Sequence, residues 1–299
     1  MTDAPASVDP ASVDPSVPRA MKIAFFAVLF AVTLGGAALM QNQIDLYDVH
    51  LVRADAPPII ANALAGTKML VLADLHVRDR APNFGPRERF ILKTIDETDP
   101  DTILIVGDHF PFTRSIEPSL EFFEALRSDR NIYAVLGDHE YHGARKSCVY
   151  CHAPGDDTWS VREDLAVKML RDQVVTISGP TGTKVDIWGG DVKSSPDLSW
   201  TKVTPPDRPV IAMTHFPEAF DDYADAGADL MLGADTHGGQ MIAPHIFYEW
   251  LLGPRRAHYL AGRFTRGKSV LWVTKGVGWS ILPLRLGVKP DILLFDFTK

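Results

Sequence analysis

The chain has little positive charge to spare. Its 299 residues carry 30 Lys and Arg against 38 Asp and Glu, a net charge of −8. That balance argues against general nucleic-acid binding, which needs a basic face. No run of like charge is long enough to serve as an interaction tail. Apolar residues are scarce from Met1 to Arg19, where Ala6-Ser7-Val8-Asp9-Pro10 repeats as Ala11-Ser12-Val13-Asp14-Pro15. Such a segment cannot bury a core, and disorder is expected there. Cysteine is nearly absent, with two residues in the whole chain.

One long hydrophobic run is present. Met21-Lys22 opens an uncharged stretch from Ile23 to Met40. As a helix rising roughly 1.5 Å per residue it spans about 27 Å, close to a bilayer core. An uncleaved anchor and a cleaved signal peptide are both open, because Gly36 and Ala38 can serve as a small-residue cleavage site. Arg19 and Lys22 precede the run, and Gln41 to Tyr47 carries no Lys or Arg. The positive-inside rule then puts the amino end in the cytoplasm and the large domain outside.

Beyond the run, Leu46 to Ile60 partly alternates and reads as an edge strand before the main domain. Lys68–Ala73, a helix from Pro86 to Asp96, Thr102–Val106, a helix from Glu117 to Arg127 and Asn131–Leu136 follow in βαβαβ order. That order argues for a parallel sheet with helices packed on it. After a loop from Tyr141 to Trp159, a helix is expected from about Val161 to Asp172. Short strands are expected at Val174–Ser178, Lys184–Gly189, Pro209–Met213, Asp229–Leu232, Ser269–Thr274 and Asp291–Phe297, with a short helix from Pro217 to Ala226. No internal boundary splits Lys68 to Lys299.

Five of the apolar runs end in Asp or His. They enter Asp74-Leu75-His76, Gly107-Asp108-His109, Gly137-Asp138-His139-Glu140, Thr214-His215 and Gly233-Ala234-Asp235-Thr236-His237. Such a recurrence points to a metal-binding cleft at the carboxyl ends of a sheet, where open α/β sheets place their sites. On an extended strand end, Asp74 and His76 face the same way and can ligate one metal, with His237 completing that site. Asp108 can bridge to a second site formed by Asp138, His215 and Asp235. Carboxylate and imidazole ligands suit Mn, Fe, Zn or Mg rather than a soft thiolate metal. Two ions about 3.5–4 Å apart can hold a hydroxide for in-line attack on a phosphoryl group. His139 would then protonate the leaving oxygen or stabilise developing charge.

These blocks resemble the calcineurin-like metallophosphoesterases, whose pattern is DxH, GD, GNH[DE], H and GHxH. Gly238-Gly239-Gln240, and Gly276-Val277-Gly278 before Pro283-Leu284-Arg285, look like the membrane-anchored bacterial branch. The resemblance implies a two-sheet α/β sandwich flanked by helices, with an N-terminal transmembrane helix in a bacterial inner membrane. It implies a phosphate ester substrate, in some branches lipid-linked. It assigns Asp74, His76, Asp108 and His237 to one metal, and Asp108, Asp138, His215 and Asp235 to the other. The expected segments are 1–20 disordered, 21–40 anchor or signal, 41–67 lead-in and 68–299 metallophosphoesterase domain. Two departures fall on the second metal: Asp138 replaces the family Asn, and Asp235 the first His of GHxH. With four ionised carboxylates and two divalent cations, the formal charge falls from about +2 to about zero. A less positive site favours Mn or Mg over Zn and holds highly charged monoesters weakly.

The two cysteines lie in Cys148-Val149-Tyr150-Cys151-His152. This motif is compatible with a local disulfide, a free thiol pair, covalent haem c, or a metal held by both thiolates and His152. His50, His142, His245 and His258 are expected on loops or the surface, while His109 is open between cleft and core. Arg78, Arg80, Arg145 and Lys146 are either solvated or bind a second phosphate or lipid head group. Trp250-Leu251-Leu252 and Trp272 are expected in core packing, with an apolar groove as the alternative. The resulting function is hydrolysis of a phosphodiester or pyrophosphate. A pyrophosphatase resembling the UDP-2,3-diacylglucosamine enzymes of lipid A synthesis is one alternative. A silent extracytoplasmic module binding metal or haem is another.

Overall fold

The computed structural model describes residues 19–111, 115–126, 130–141, 148–151, 161–193 and 196–298. The Met1–Pro18 repeat, His142, Arg145, Lys146, His152 and most of the loop before Val161 lie outside them. The elements run α1 (Arg19–Asp45), β1 (His50–Ala54), α2 (Pro58–Ala63), β2 (Lys68–Ala73), α3 (Pro86–Thr98) and β3 (Thr102–Val106). Then come α4 (Glu117–Ala125), β4 (Asn131–Val135), β5 (Lys168–Leu170), β6 (Gln173–Ser178), β7 (Lys184–Gly189), β8 (Val210–Met213) and α5 (Phe220–Asp225). The chain closes with β9 (Leu230–Gly233), α6 (His245–Leu252), α7 (Pro254–His258), β10 (Gly262–Arg266), β11 (Ser269–Val273) and β12 (Asp291–Asp296). It divides after Met40, and Gln41–Lys299 forms one compact unit. Among the described residues one helix is long and apolar enough to cross a membrane, over Phe26–Asp45.

The compact unit is a two-sheet α/β sandwich. One sheet has the order β1-β12-β2-β3-β4-β5, the other β10-β11-β9-β8-β7-β6. Strand period two sorts the side chains. Leu70, Leu72, Ile103 and Ile105 face Ile91 and Ile95 of α3 and Phe122 and Phe123 of α4. Met69, Val71, Leu104 and Val106 point the other way and meet Ile187, Ile211, Met213 and Leu230 of the second sheet. The outer face of that sheet packs Met231 and Leu271 against Phe220, Tyr223 and Tyr259. Because both faces of each sheet are covered, the central strands read as continuous apolar runs.

β2, β3 and β4 are mutually parallel, as are β7, β8, β9 and β11. Their carboxyl ends therefore emerge together within each sheet. β1 lies at a sheet edge beside β12, as the proline-bounded segment suggests. The expected helix over Val161–Asp172 is not formed. Val161 bridges Cys151, and Lys168–Leu170 pairs with Tyr133–Val135 of β4. Met169 and Leu170 fall on opposite faces of the sheet, in different core clusters. Pairing with the open edge of β4 outweighs a spacing that suits helix and strand alike.

Candidate metal centre

All eight expected site side chains gather at the carboxyl ends of β2, β3, β4, β8 and β9. The backbone that brings them there is not extended. Asp74, His76, Asp108, Asp235 and His237 have φ of 46°, 42°, 53°, 71° and 51°. Five non-glycine residues in the left-handed region, all in one cluster, mark stored backbone strain at a functional site.

The groups interlock. His215 Nε2 lies 3.4 Å from Asp108 Oδ1, 3.8 Å from both Asp138 Oδ1 and Asp235 Oδ1, and 3.9 Å from Asp74 Oδ1. On the other side, His76 Nε2 lies 3.3 Å from His237 Nε2 and 3.7 Å from Asp108 Oδ2. His237 Nε2 lies 3.7 Å from Asp74 Oδ1. Asp108 thus turns one oxygen to each side. His139 approaches the same carboxylate, with Nε2 3.6 Å from Asp108 Oδ2 and Nδ1 3.2 Å from the Phe110 carbonyl.

Such a cluster is suited to cations. Asp74 Oδ1 and Oδ2 and His215 Nε2 are buried without hydrogen-bond partners. His215 Nδ1 lies 3.0 Å from the Val106 carbonyl, which fixes a proton there and turns Nε2 towards the carboxylates. Buried carboxylate oxygens and imidazole nitrogens gathered at these distances fit a hard or borderline divalent ion.

The metal-free electrostatics show the same conflict. Burial raises the Asp74 carboxyl well above its usual value, with Asp108 adding and His215 opposing. Burial raises Asp235 to about 7 against His215 and Arg256. Burial and Asp108 also raise Asp138. Asp108 behaves oppositely: burial works against its charge, but His215, His139 and His76 outweigh it and hold the carboxyl well below the usual range. Burial likewise opposes the His215 cation, and Asp108, Asp74 and Asp235 still raise that group well above an ordinary imidazole. Burial lowers His76 to about 3, and lowers His237 with help from His76 and Arg285. Both rings are neutral near pH 7, as metal ligands must be.

Four supports were missed as site residues in the sequence. Glu140 accepts from Asp108 N, His109 N and Gly137 N at 3.0, 2.9 and 2.6 Å, tying the two strand-end loops together. The family motif contained this signal. Gly137 is needed because a Cβ there would overlap Asp108. Buried Arg285 donates to the carbonyls of Lys275 and Gly278 at 2.8 and 2.6 Å, and holds the glycine loop that covers Asp74. Arg256, on α7, places Nη1 3.2 Å from Asp235 Oδ2. No spacing rule links it to Asp235.

Cys148 and Cys151 form a disulfide with Cα atoms 5.1 Å apart. In this state neither thiol is free for haem attachment or thiolate ligation, and the local disulfide is the alternative that the structure adopts. Both cysteines are buried, and Val149 N donates to the Glu140 carbonyl at 2.8 Å. His109 belongs to the core: it is buried, 3.4 Å from Glu140 Oε1, with its ring against Phe123 and Tyr150. Arg80 pairs with Glu121 at the surface, and Arg78 stacks on Trp279. Trp250 and Leu251 are exposed rather than packed in the core. Trp272 is half-buried and donates to the Asp55 carbonyl.

Comparison with known proteins agrees with this geometry. The family model for the calcineurin-like phosphoesterases matches residues 67–242. The metallophosphoesterase YkuE of Bacillus subtilis (strain 168) is 28% identical over 281 residues, covering 90% of this chain and 92% of that protein. The phosphodiesterase YaeI of Escherichia coli (strain K12) is 28% identical over 240 residues, covering 77% and 82%. A transmembrane protein with a metallophosphoesterase domain from Danio rerio is 21% identical over 274 residues, covering 81% of this chain and 58% of its own length. A match that takes in more than half the chain and runs through the strand ends where these side chains meet makes the protein a member of the calcineurin-like phosphoesterase family, a hydrolase of phosphate esters.

Proposed function

We propose that the protein hydrolyses a phosphodiester or pyrophosphate using two divalent cations. Asp74, His76, Asp108 and His237 would hold one, and Asp108, Asp138, His215 and Asp235 the other. The observation carrying this reading is Asp108, whose Oδ1 and Oδ2 lie 3.4 and 3.7 Å from imidazole nitrogens on opposite sides. Bound cations supply Lewis acidity and lower the pKa of coordinated water. The chain supplies the rest. Glu140 and the glycine turns orient the ligands, burial excludes bulk water, and His139 presents Nε2 to the site. With Nδ1 donating to the Phe110 carbonyl, His139 carries a second proton on Nε2 only as the imidazolium, and in that form it can pass the proton to the leaving oxygen.

Four carboxylates lower the positive charge of such a centre, and Arg256 offsets one of them at Asp235. That balance favours Mn or Mg and a diester with one charge per phosphate over a dianionic monoester. The name of the relative YaeI, a phosphodiesterase, agrees. We further propose a single-pass membrane protein with residues 68–299 outside the cytoplasm. Arg19 and Lys22 before the apolar run and the buried disulfide, which persists in an oxidising compartment, support that orientation.

The test is hydrolysis of an aryl phosphodiester with added Mn. Activity is expected to depend on Mn and to fall on the order of 10²–10³-fold or more in Asp108→Asn. Metal-independent turnover, or a variant as active as the parent, rejects the proposal.

A further inference from the structure

Helix α6 has one buried side. Tyr248 covers Gly239 and its hydroxyl donates to the Met241 carbonyl. Ile246 and Trp250, one turn apart, and Leu251 face solvent, with Trp250 79% exposed. Ile242 before the helix is exposed too, as are Ile281, at 91%, and Leu282. The two segments are joined: Ile242 N donates to Leu286 O at 3.0 Å, Leu286 N to Gln240 O at 2.9 Å, and Ser280 N to Gln240 Oε1 at 3.1 Å. Six large, exposed apolar side chains thus lie on two hydrogen-bonded segments, one following His237 and one leading into Arg285. Exposed apolar side chains gathered in this way mark an interaction site.

What covers it is indicated by the residues that follow the apolar run. Asn42 Nδ2 donates to Pro283 O at 3.1 Å, and Asn42 Oδ1 accepts from Arg285 N at 2.7 Å. Asp45 Oδ2 accepts from Gly287 N at 2.6 Å. Asn42 lies two residues after the uncharged stretch Ile23–Met40, and it is fastened to the segment that carries Ile281 and Leu282. Any chain that enters a bilayer through that stretch leaves the compact unit at Asn42, on the segment that leads from Ile281 and Leu282 to Arg285. Trp and bulky aliphatic side chains are the residues that settle at lipid interfaces.

We propose that the surface formed by Ile242, Ile246, Trp250, Leu251, Ile281 and Leu282 rests on the lipid bilayer as a second membrane contact, beside the metal centre. The contact turns the catalytic unit so that the loops after His237 face the membrane.

The full chain reconstituted into phosphatidylcholine vesicles with brominated acyl chains tests this. None of its six tryptophans lies between Ile23 and Met40, so quenching reads the catalytic unit. Emission is expected to drop relative to ordinary lipid. Trp250→Phe should abolish that drop. So should Ile246→Ser/Leu251→Ser/Ile281→Ser, which keeps Trp250 and whose unchanged thermal midpoint shows it folded. Equal emission in the two lipids overturns the proposal, as does quenching that survives both variants. Cross-linking of this surface between two copies without quenching assigns it to self-association and also overturns it.

Discussion

Asp235 turns its two oxygens to different partners. Oδ1 is 3.8 Å from His215 Nε2, and Oδ2 is 3.2 Å from the Arg256 guanidinium. A histidine here would bring no charge, whereas the aspartate brings one that Arg256 balances. Burial raises this carboxyl to about 7 in the metal-free site, with His215 and Arg256 pulling it back. A protonated carboxyl is no ligand, so metal binding competes with protons. The group is mostly protonated at pH 6 and mostly ionised at pH 8, so Mn affinity should rise about tenfold between them, with proton release. Calorimetric Mn titrations in buffers of different ionisation enthalpy check this, and affinity that is flat or falls with pH contradicts it. The aspartate was legible in the sequence as a departure from the family pattern. Arg256 was not, because its approach depends on how α6 and α7 fold back over the strand ends.

At the scale of the elements, the strand ends do more than strands can. The sequence reading paired Asp74 with His76 by the alternation of an extended chain. Their φ values of 46° and 42° show instead a left-handed turn stabilised from outside. Gly278 N donates to Asp74 O at 2.7 Å and Val277 N to Ala73 O at 3.1 Å, so the glycine loop after β11 clamps that turn. Gly276 has φ 64°, and a Cβ on it would overlap the Asp74 carboxylate. Gly276→Ala should therefore cost about 1–3 kcal/mol and displace a ligand. At least a tenfold loss of diesterase activity and loss of bound metal are expected. Gly227→Ala is the control: φ is 94°, but nothing lies within 4 Å of the new Cβ, so it should lower the melting temperature and leave activity intact. Equal activity in the two variants would show that the loop does not position Asp74. The same scale accounts for the misread segment at Val161–Asp172, where the unpaired edge of β4 was invisible in the local pattern.

For the whole molecule, the centre is a seam between two sheets. Asp74, Asp108 and Asp138 follow strands of one sheet, while His215, Asp235 and His237 follow strands of the other. Ions held across that seam as proposed would bind only the folded state and relieve repulsion among the carboxylates. Mn at about 100 times its dissociation constant should add about 2.7 kcal/mol per site. For a unit of this size that is a rise in melting temperature of roughly 5–10 °C, reversed by chelator. Calorimetry of the metal-loaded and chelated protein measures it, and identical melting temperatures would remove the metals from the seam.

The residue types of the site, their order along the chain, the apolar strands that carry them and the long apolar run were all determined by the sequence, because periodicity and composition are local properties. Tertiary structure alone decided four matters. It sent His109 into the core, closed the cysteine loop as a disulfide, and brought Arg256 and Arg285 in as supports. It also exposed the apolar face of α6 beside the segment that holds Asn42. Each depends on which surfaces meet after the two sheets pack, and no spacing between residues in the chain encodes that meeting.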